Sequence, residues 1–231
     1  MSEIFPHLAP LLYILYWQIY IQNYENYHDP LPALLLLFLT ALWSLRKLFF
    51  WQRSWKTLRD LAEDSVFKAK GNFDFSMNTL MHFIVLPAII FFIFIPFQAI
   101  FTRETALNFT DIVGLLICLT AIFWDSAAEQ HRLLLRSQHK FEVRYPTSGL
   151  WRLVRYPEHV GFLIFCLGLI FLTDSFEMYS YYSLIGIFCY YAYLRFWFVP
   201  RKDAHWISIR PEYISYKKRK PPLIPIKFMN L

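Results

Sequence analysis

The segment LMHFIVLPAIIFFIFIPFQAI, residues 80–100, decides the fold class of this chain. It contains no Asp, Glu, Lys or Arg, and a helix needs roughly 20 predominantly apolar residues to cross about 30 Å of hydrocarbon. The segment YYSLIGIFCYYAYLRFWFV, residues 181–199, is similar and carries only Arg195. Both segments therefore predict helices that span a membrane.

The composition of the whole chain agrees with this prediction. Of the 231 residues, 57% are hydrophobic and only 17% are charged, which is too much apolar surface for a soluble domain of this size to bury. A closed β-barrel requires strands that alternate apolar and polar residues, and the run Leu34-Leu35-Leu36-Leu37 does not alternate. The sequence predicts an all-α fold in a single domain, 1–231, since no composition break or Gly/Ser linker divides it.

We predict about six transmembrane helices, at roughly 8–22, 31–48, 79–100, 111–126, 159–173 and 181–199. This arrangement places the segments 46–78, 127–158 and 200–231 on one side of the membrane with the N-terminus. The Lys and Arg residues support it, since seven fall between Arg46 and Lys70, six between Arg132 and Arg155 and nine from Arg195 onward. By the positive-inside rule this side, which carries both termini, is cytoplasmic or faces the mitochondrial matrix.

Several functions are disfavoured by the same residues. The net charge of +6 is explained by orientation and by attraction to the headgroups of membrane lipids, so we expect no nucleic-acid partner. The chain has six glycines and lacks both the dinucleotide fingerprint and the phosphate-loop pattern. Its three cysteines lie inside predicted spans without the spacing of metal ligands, so we expect no metal.

A stripe of charged residues follows the fourth predicted span. Its members, Asp125, Glu129, Arg132 and Arg136, are spaced by three or four residues and so share one face of a helix. A solvated face with intrahelical ion pairs is one interpretation. The other is a binding site, because the stripe leads into a second polar segment that runs from Ser148 to Gly161.

The order of the polar motifs resembles a known family. These motifs are Trp43 to Arg46, Arg53, Glu63-Asp64, Asp125 to Arg136, Gly149-Leu150-Trp151-Arg152 followed by Arg155 and Pro157, Glu212-Tyr213 with Tyr216, and Pro225. From Trp43 onward the chain is similar to the DUF1295-like membrane family related to the C-terminal domain of steroid 5-alpha-reductases. More distantly, it resembles isoprenylcysteine carboxyl methyltransferases.

The resemblance implies an NADPH-dependent reductase of a carbon–carbon double bond in a sterol, prenyl or other lipid that enters from the bilayer. In such reductases side chains at the cytosolic ends of the later helices bind the cofactor, and arginines can grip its phosphates. The positions of this chain that correspond to the cofactor site are Glu129, Arg132, Arg136, Arg155, Asp203, Trp206 and Tyr213. The resemblance identifies no catalytic acid.

The chain departs from the family pattern at the presumed cofactor site. Where the family usually reads Arg-His-Pro-Asn-Tyr-Phe-Gly-Glu, this chain reads Arg-Tyr-Pro-Glu-His-Val-Gly-Phe, residues 155–162. Glu158 thus replaces the Asn, and Phe162 replaces the closing Glu. Glu158 and His159 are therefore additional titratable groups at the mouth of the fifth predicted span.

Two other functions stay open at this point. The first is an S-adenosylmethionine-dependent lipid or prenylcysteine methyltransferase that uses the same cytosolic cavity. The second is a noncatalytic membrane protein, a subunit of a larger complex that keeps the fold and binds no cofactor. The sequence fits the bacterial inner membrane, the endoplasmic reticulum and the mitochondrial inner membrane equally well.

Overall fold

A computed structural model describes residues 30–62, 80–94, 107–138, 147–172 and 178–223. Within these ranges every regular element is helical, so the all-α prediction is confirmed there. The elements are α1 (Pro30–Ala62), a π-helical turn (Met81–Val85), α2 (Leu86–Phe94), α3 (Phe109–Gln138), a 3₁₀ turn (Gly149–Arg152), α4 (Pro157–Leu172), α5 (Met178–Tyr193), a second π-helical turn (Leu194–Phe198), α6 (Val199–Ile209) and α7 (Tyr213–Arg219). The predicted span 8–22 lies outside the described residues.

Three stretches of the described helices are long and apolar enough to cross a membrane. They are Leu31–Arg53, Phe109–Leu135 and Tyr181–Ile209, and Pro157–Leu172 is a shorter apolar helix. Their outward surfaces are also apolar. On α3, for example, Phe109, Ile112, Leu116 and Phe123 are exposed at helical spacing, which suits contact with lipid chains and not with water.

The helices extend beyond the predicted spans. Residues 46–62 continue α1 without a break past the predicted end at 48, and α3 runs twelve residues past the predicted end at 126. The chain from 178 to 209 is likewise continuously helical, through the π-helical turn. Hydropathy locates only the apolar part of each helix, whereas its charged extension is stabilised by ion pairs between helices.

The most extensive packing in the described part of the chain joins α3 to α4. Two glycines of α4 permit this close approach, because a Cβ added at Gly168 would lie 2.8 Å from Cys118 Sγ, and one at Gly161 would lie 2.8 Å from Asp125 Cβ. Small residues allow membrane helices to pack backbone against backbone. The approach at Gly161 places the start of α4 directly against the charged part of α3.

The segment before α4 is fixed to the C-terminal part of the chain. The backbone N–H of Arg155 donates to the carbonyl of Pro221 at 3.0 Å, and that of Tyr156 donates to the carbonyl of Pro222 at 3.1 Å. The Tyr216 hydroxyl donates to the carbonyl of Trp151 at 2.7 Å. Since Pro157 then begins α4, these bonds hold the start of α4, α6 and α7 together.

Candidate functional site

Five charged residues of α1 and α3 form one ionic cluster, which we call the Asp125 cluster: Arg46, Lys47, Asp125, Glu129 and Arg132. Asp125 is fully buried and pairs with Arg46 and, at 2.8 Å, with Lys47 Nζ. Lys47 also lies 3.8 Å from Glu129, which pairs with Arg132 at 2.5 Å. The charged stripe of α3 is therefore joined to a neighbouring helix as well as paired along its own axis.

Aromatic rings support the cations of this cluster. The Arg46 guanidinium lies over the Trp43 ring, 4.5 Å from its centroid, and the Phe165 ring of α4 stacks on Trp43 at 4.4 Å. A cation over an indole face gains about 0.5–2 kcal/mol, more when it is shielded from water. Trp43 thus connects the charged part of α1 to the apolar core of α4.

A second group of buried polar residues joins α6 and α7 to the start of α4, and we call it the Asp203 cluster: Arg155, Tyr156, Asp203 and Tyr213. Asp203 Oδ1 accepts hydrogen bonds from Tyr156 at 2.9 Å and from Tyr213 at 2.8 Å. Its Oδ2 pairs with Arg155, and Lys217 approaches the same oxygen at 3.6 Å. Both carboxylate oxygens of Asp203 therefore have partners.

Burial and charge shift the pKa values in the Asp203 cluster. Burial alone would lower the pKa of Arg155, but the adjacent Asp203 carboxylate outweighs it and holds that pKa above its ordinary value. Burial, together with the Asp203 charge, raises the pKa of Tyr213 to about 12 and raises that of Tyr156 further. Arg155 is therefore charged and both tyrosines are protonated at every physiological pH.

Two partly exposed side chains border the Asp203 cluster. The Trp206 ring stacks on Tyr213, with a centroid distance of 6.2 Å and an interplanar angle of 27°. Lys217 keeps 43% of its side-chain surface exposed although it approaches Asp203. Together they present an aromatic face and a cation to solvent beside a buried, satisfied carboxylate.

The start of α4 lies between the two clusters. Glu158 and His159 are each half-buried, and Glu158 Oε2 is buried with no hydrogen-bond partner among the described residues. His159 Nδ1 lies 3.1 Å from the Tyr190 hydroxyl of α5. The His159 imidazole therefore has a hydrogen-bond partner on α5.

The structure divides the predicted cofactor-site residues between the two clusters. Glu129 and Arg132 belong to the Asp125 cluster, while Arg155, Asp203 and Tyr213 form the Asp203 cluster with Trp206 stacked beside it. The Arg136 side chain lies outside the described part of the structure. The ion pairs leave Arg155 almost inaccessible, with 6% of its side chain exposed, whereas Arg132 keeps 27%.

Sequence reasoning missed three members of these clusters, Arg46, Lys47 and Tyr156, and it placed Asp125 in the charged stripe without assigning it to the cofactor site. Arg46 and Asp125 were within motifs of the resemblance, but their pairing across 79 positions has no local signal. The positions of Arg46 and Asp125 inside predicted spans were a usable signal. Charges buried at membrane depth are costly, so each of these residues must have a partner.

The fold and these clusters define a class: a helical membrane protein whose buried charged residues gather at one end of its apolar helices. Within this class the chain belongs to the family described as protein of unknown function (DUF1295), whose model matches residues 9–220. No curated protein matches the chain. No solved structure matches it either.

Proposed function

We propose that this protein is an NADPH-dependent membrane reductase of a carbon–carbon double bond in a sterol, prenyl or other lipid. The observation that carries the proposal is the gathering of cationic side chains from α1, α3 and α7 in the Asp125 and Asp203 clusters at the charged end of apolar helices. Such a site accepts a polar cofactor from the aqueous side and a lipid from the bilayer. The resemblance to steroid 5-alpha-reductases points to the same chemistry.

We also propose the six-span topology with both termini on the cytoplasmic or matrix side. The described apolar helices are consistent with it, and so is the basic character of the segments that would share this side. The charged clusters would then lie at the membrane surface where NADPH is available.

The residues of the two clusters differ in how well they are placed to contact NADPH. Arg132 and Lys217 are cations with exposed surface, so they are suited to meet its phosphates. Trp206 offers a partly exposed ring for stacking on an aromatic base. Arg155 and Asp203 are already paired with each other, so we assign them to positioning Tyr213 and Trp206 and not to direct contact with the cofactor.

When bound, NADPH supplies a hydride for the reduction. The protein's part is to bind the phosphates, to orient the double bond of the lipid and to keep water away from both. The apolar helices α4 and α5, which bring the Phe162 and Tyr190 rings into contact, suit the lipid-facing side of this task.

The proposal is tested by thermal shift of the detergent-purified protein with NADPH and with S-adenosylmethionine. We expect stabilisation by NADPH alone and a smaller shift in Lys217→Gln, with Lys218→Gln as the matched control because Lys218 is an exposed lysine of the same helix. Arg136→Ala, which removes one of the arginines that the resemblance places at the cofactor site, should also reduce the thermal shift.

Other outcomes select the other functions. Stabilisation by S-adenosylmethionine alone would favour the methyltransferase. A response to neither cofactor would favour the noncatalytic subunit, and copurification of a stoichiometric membrane partner would strengthen that interpretation.

A further inference from the structure

The short helix α7 has one buried face and one outward face. Tyr213 and Tyr216, three residues apart, are buried against the rest of the protein. Ile214, Lys217 and Lys218 follow one another at the spacing i, i+3 and i+4, so they share the other face. Ile214 is 42% exposed, Lys217 keeps 43% of its side chain exposed, and Lys218 is exposed as well. One apolar side chain and two cations therefore face outward together.

Hydrogen bonds place the end of α7 level with the start of an apolar helix. The backbone N–H of Arg155 donates to the carbonyl of Pro221, two residues beyond the last residue of α7. Pro157 then begins α4, and the two residues of chain from Arg155 to Pro157 extend at most about 7 Å. The end of α7 thus lies at the depth where the apolar part of the protein begins. In a bilayer this depth is the headgroup region.

The end of α7 is also strongly basic. Its last turn holds Lys217, Lys218 and Arg219, and Lys220 follows directly. No acid lies within the helix itself, and the exposed Glu212 precedes its opposite end. Clusters of Lys and Arg beside a membrane helix attract anionic lipids. The charge of this surface therefore complements an anionic leaflet.

The basic face is held in one orientation by its buried side. The Tyr213 hydroxyl donates to Asp203 at 2.8 Å, and the Tyr216 hydroxyl donates to the carbonyl of Trp151 at 2.7 Å. A basic run in a loose tail would have to be ordered when a lipid binds, at a cost in conformational entropy. Because α7 is already fixed, its cations stand at defined positions before any lipid arrives.

We propose that the outward face of α7, formed by Ile214, Lys217 and Lys218, is a binding site for the headgroup of an anionic phospholipid. The lysines meet the lipid phosphate, and Ile214 contacts the upper part of an acyl chain. A zwitterionic lipid carries a cation of its own, so it compensates less of this charge. The site is independent of the proposed reductase activity. Lys217 borders both this face and the proposed cofactor site, so the test uses Lys218.

The test titrates the delipidated full chain in neutral detergent with phosphatidylglycerol or with phosphatidylcholine, and native mass spectrometry counts the bound lipid. We expect phosphatidylglycerol to bind more tightly and to be weakened by added salt. Lys218→Gln should weaken its binding about fivefold, the effect of one lysine at an anionic surface. Lys218→Arg keeps the charge and is the matched control, so it should bind like wild type. Ile214→Asn should also weaken binding, whereas Ile214→Leu should not.

The outcomes separate this site from the proposed function. Equal affinity for the two lipids, or unchanged binding in Lys218→Gln, would overturn the lipid site. Inorganic phosphate is the third arm of the titration. If it displaces phosphatidylglycerol at an equal concentration, the face binds free phosphate and the lipid assignment is wrong. The thermal shift with NADPH should stay unchanged in Lys218→Gln, and failure of wild type to bind NADPH would remove the proposed function while leaving the lipid site intact.

Discussion

The Asp125 and Asp203 clusters are built from the same kinds of side chain, yet their carboxylates are satisfied differently. Asp203 receives two tyrosine hydroxyls on one oxygen and two cations on the other. In Asp125 both cations share Oδ2, and Oδ1 has no hydrogen-bond partner among the described residues. The first arrangement is a closed support, whereas the second leaves one carboxylate oxygen able to accept a further hydrogen bond.

This contrast suggests a division of labour. A buried carboxylate with partners on both oxygens fixes one arrangement of the helices that it joins, because its loss leaves a buried cation without compensation. A partly satisfied one costs stability and is retained where it serves binding or catalysis. The Asp203 cluster thus positions α6 and α7 at the start of α4, and we assign a binding role to the Asp125 cluster, which joins α1 to α3.

The largest expected effect comes from Asp203→Asn. The substitution leaves Arg155 buried with no opposite charge, so we expect the free energy of unfolding to fall by about 3–5 kcal/mol. Chemical unfolding in detergent, monitored by circular dichroism, measures it. Glu212→Gln on the adjacent turn is the control and should change stability little, and an equally small loss in Asp203→Asn would refute the closed-support interpretation.

A smaller loss is expected for Asp125→Asn. Here the cations keep other partners, since Lys47 reaches Glu129, and Arg46 retains Ser126 and the Trp43 ring. We expect about 1.5–3 kcal/mol by the same measurement, the range for hydrogen bonds to charged groups. A loss as large as that of Asp203→Asn would remove the difference between the clusters.

The residues of these clusters also show what the sequence can predict. The helical class follows from local composition, as in 80–94, and the stripe from Asp125 to Arg132 follows from helical periodicity. That Arg46 pairs with Asp125, or Arg155 with Asp203, depends on how helices distant in sequence pack, and Gly161 decides part of it by admitting α4 to the surface of α3. The resemblance located most of one cluster but assigned Arg155 to a ligand, because a motif does not reveal that its charge is already paired.

Unlike the two aspartate substitutions, Glu158→Gln should raise the free energy of unfolding, and the size of the increase should depend on pH. With its pKa raised by burial from 4.5 to about 7, Glu158 stays protonated in the folded protein while it ionises in the unfolded chain, so wild-type stability falls as the pH rises through this window. The glutamine variant has no such loss. We expect it to be more stable than wild type by about 1–2 kcal/mol at a pH of about 8 and nearly equal at a pH of about 4, after allowance for the partial accessibility of Glu158.

Unfolding curves of both proteins across this pH range provide the measurement, with Glu212→Gln as the control for an exposed acid. A stability difference independent of pH would mean that Glu158 is ionised in the folded protein. Glu158 would then resemble Asp203, a buried carboxylate whose charge is compensated by its neighbours.

The smallest effect is expected for Tyr216→Phe, which tests whether the closed support extends beyond Asp203. The substitution removes the hydroxyl that donates to the carbonyl of Trp151 but keeps the ring against Tyr213. We expect a loss of about 1 kcal/mol, the net value of a hydrogen bond whose acceptor is a backbone carbonyl. Tyr181→Phe, at an exposed position of α5, is the matched control and should be neutral. If Tyr216→Phe is also neutral, α7 is held to the start of α4 by Asp203 and the Pro221 and Pro222 carbonyls alone.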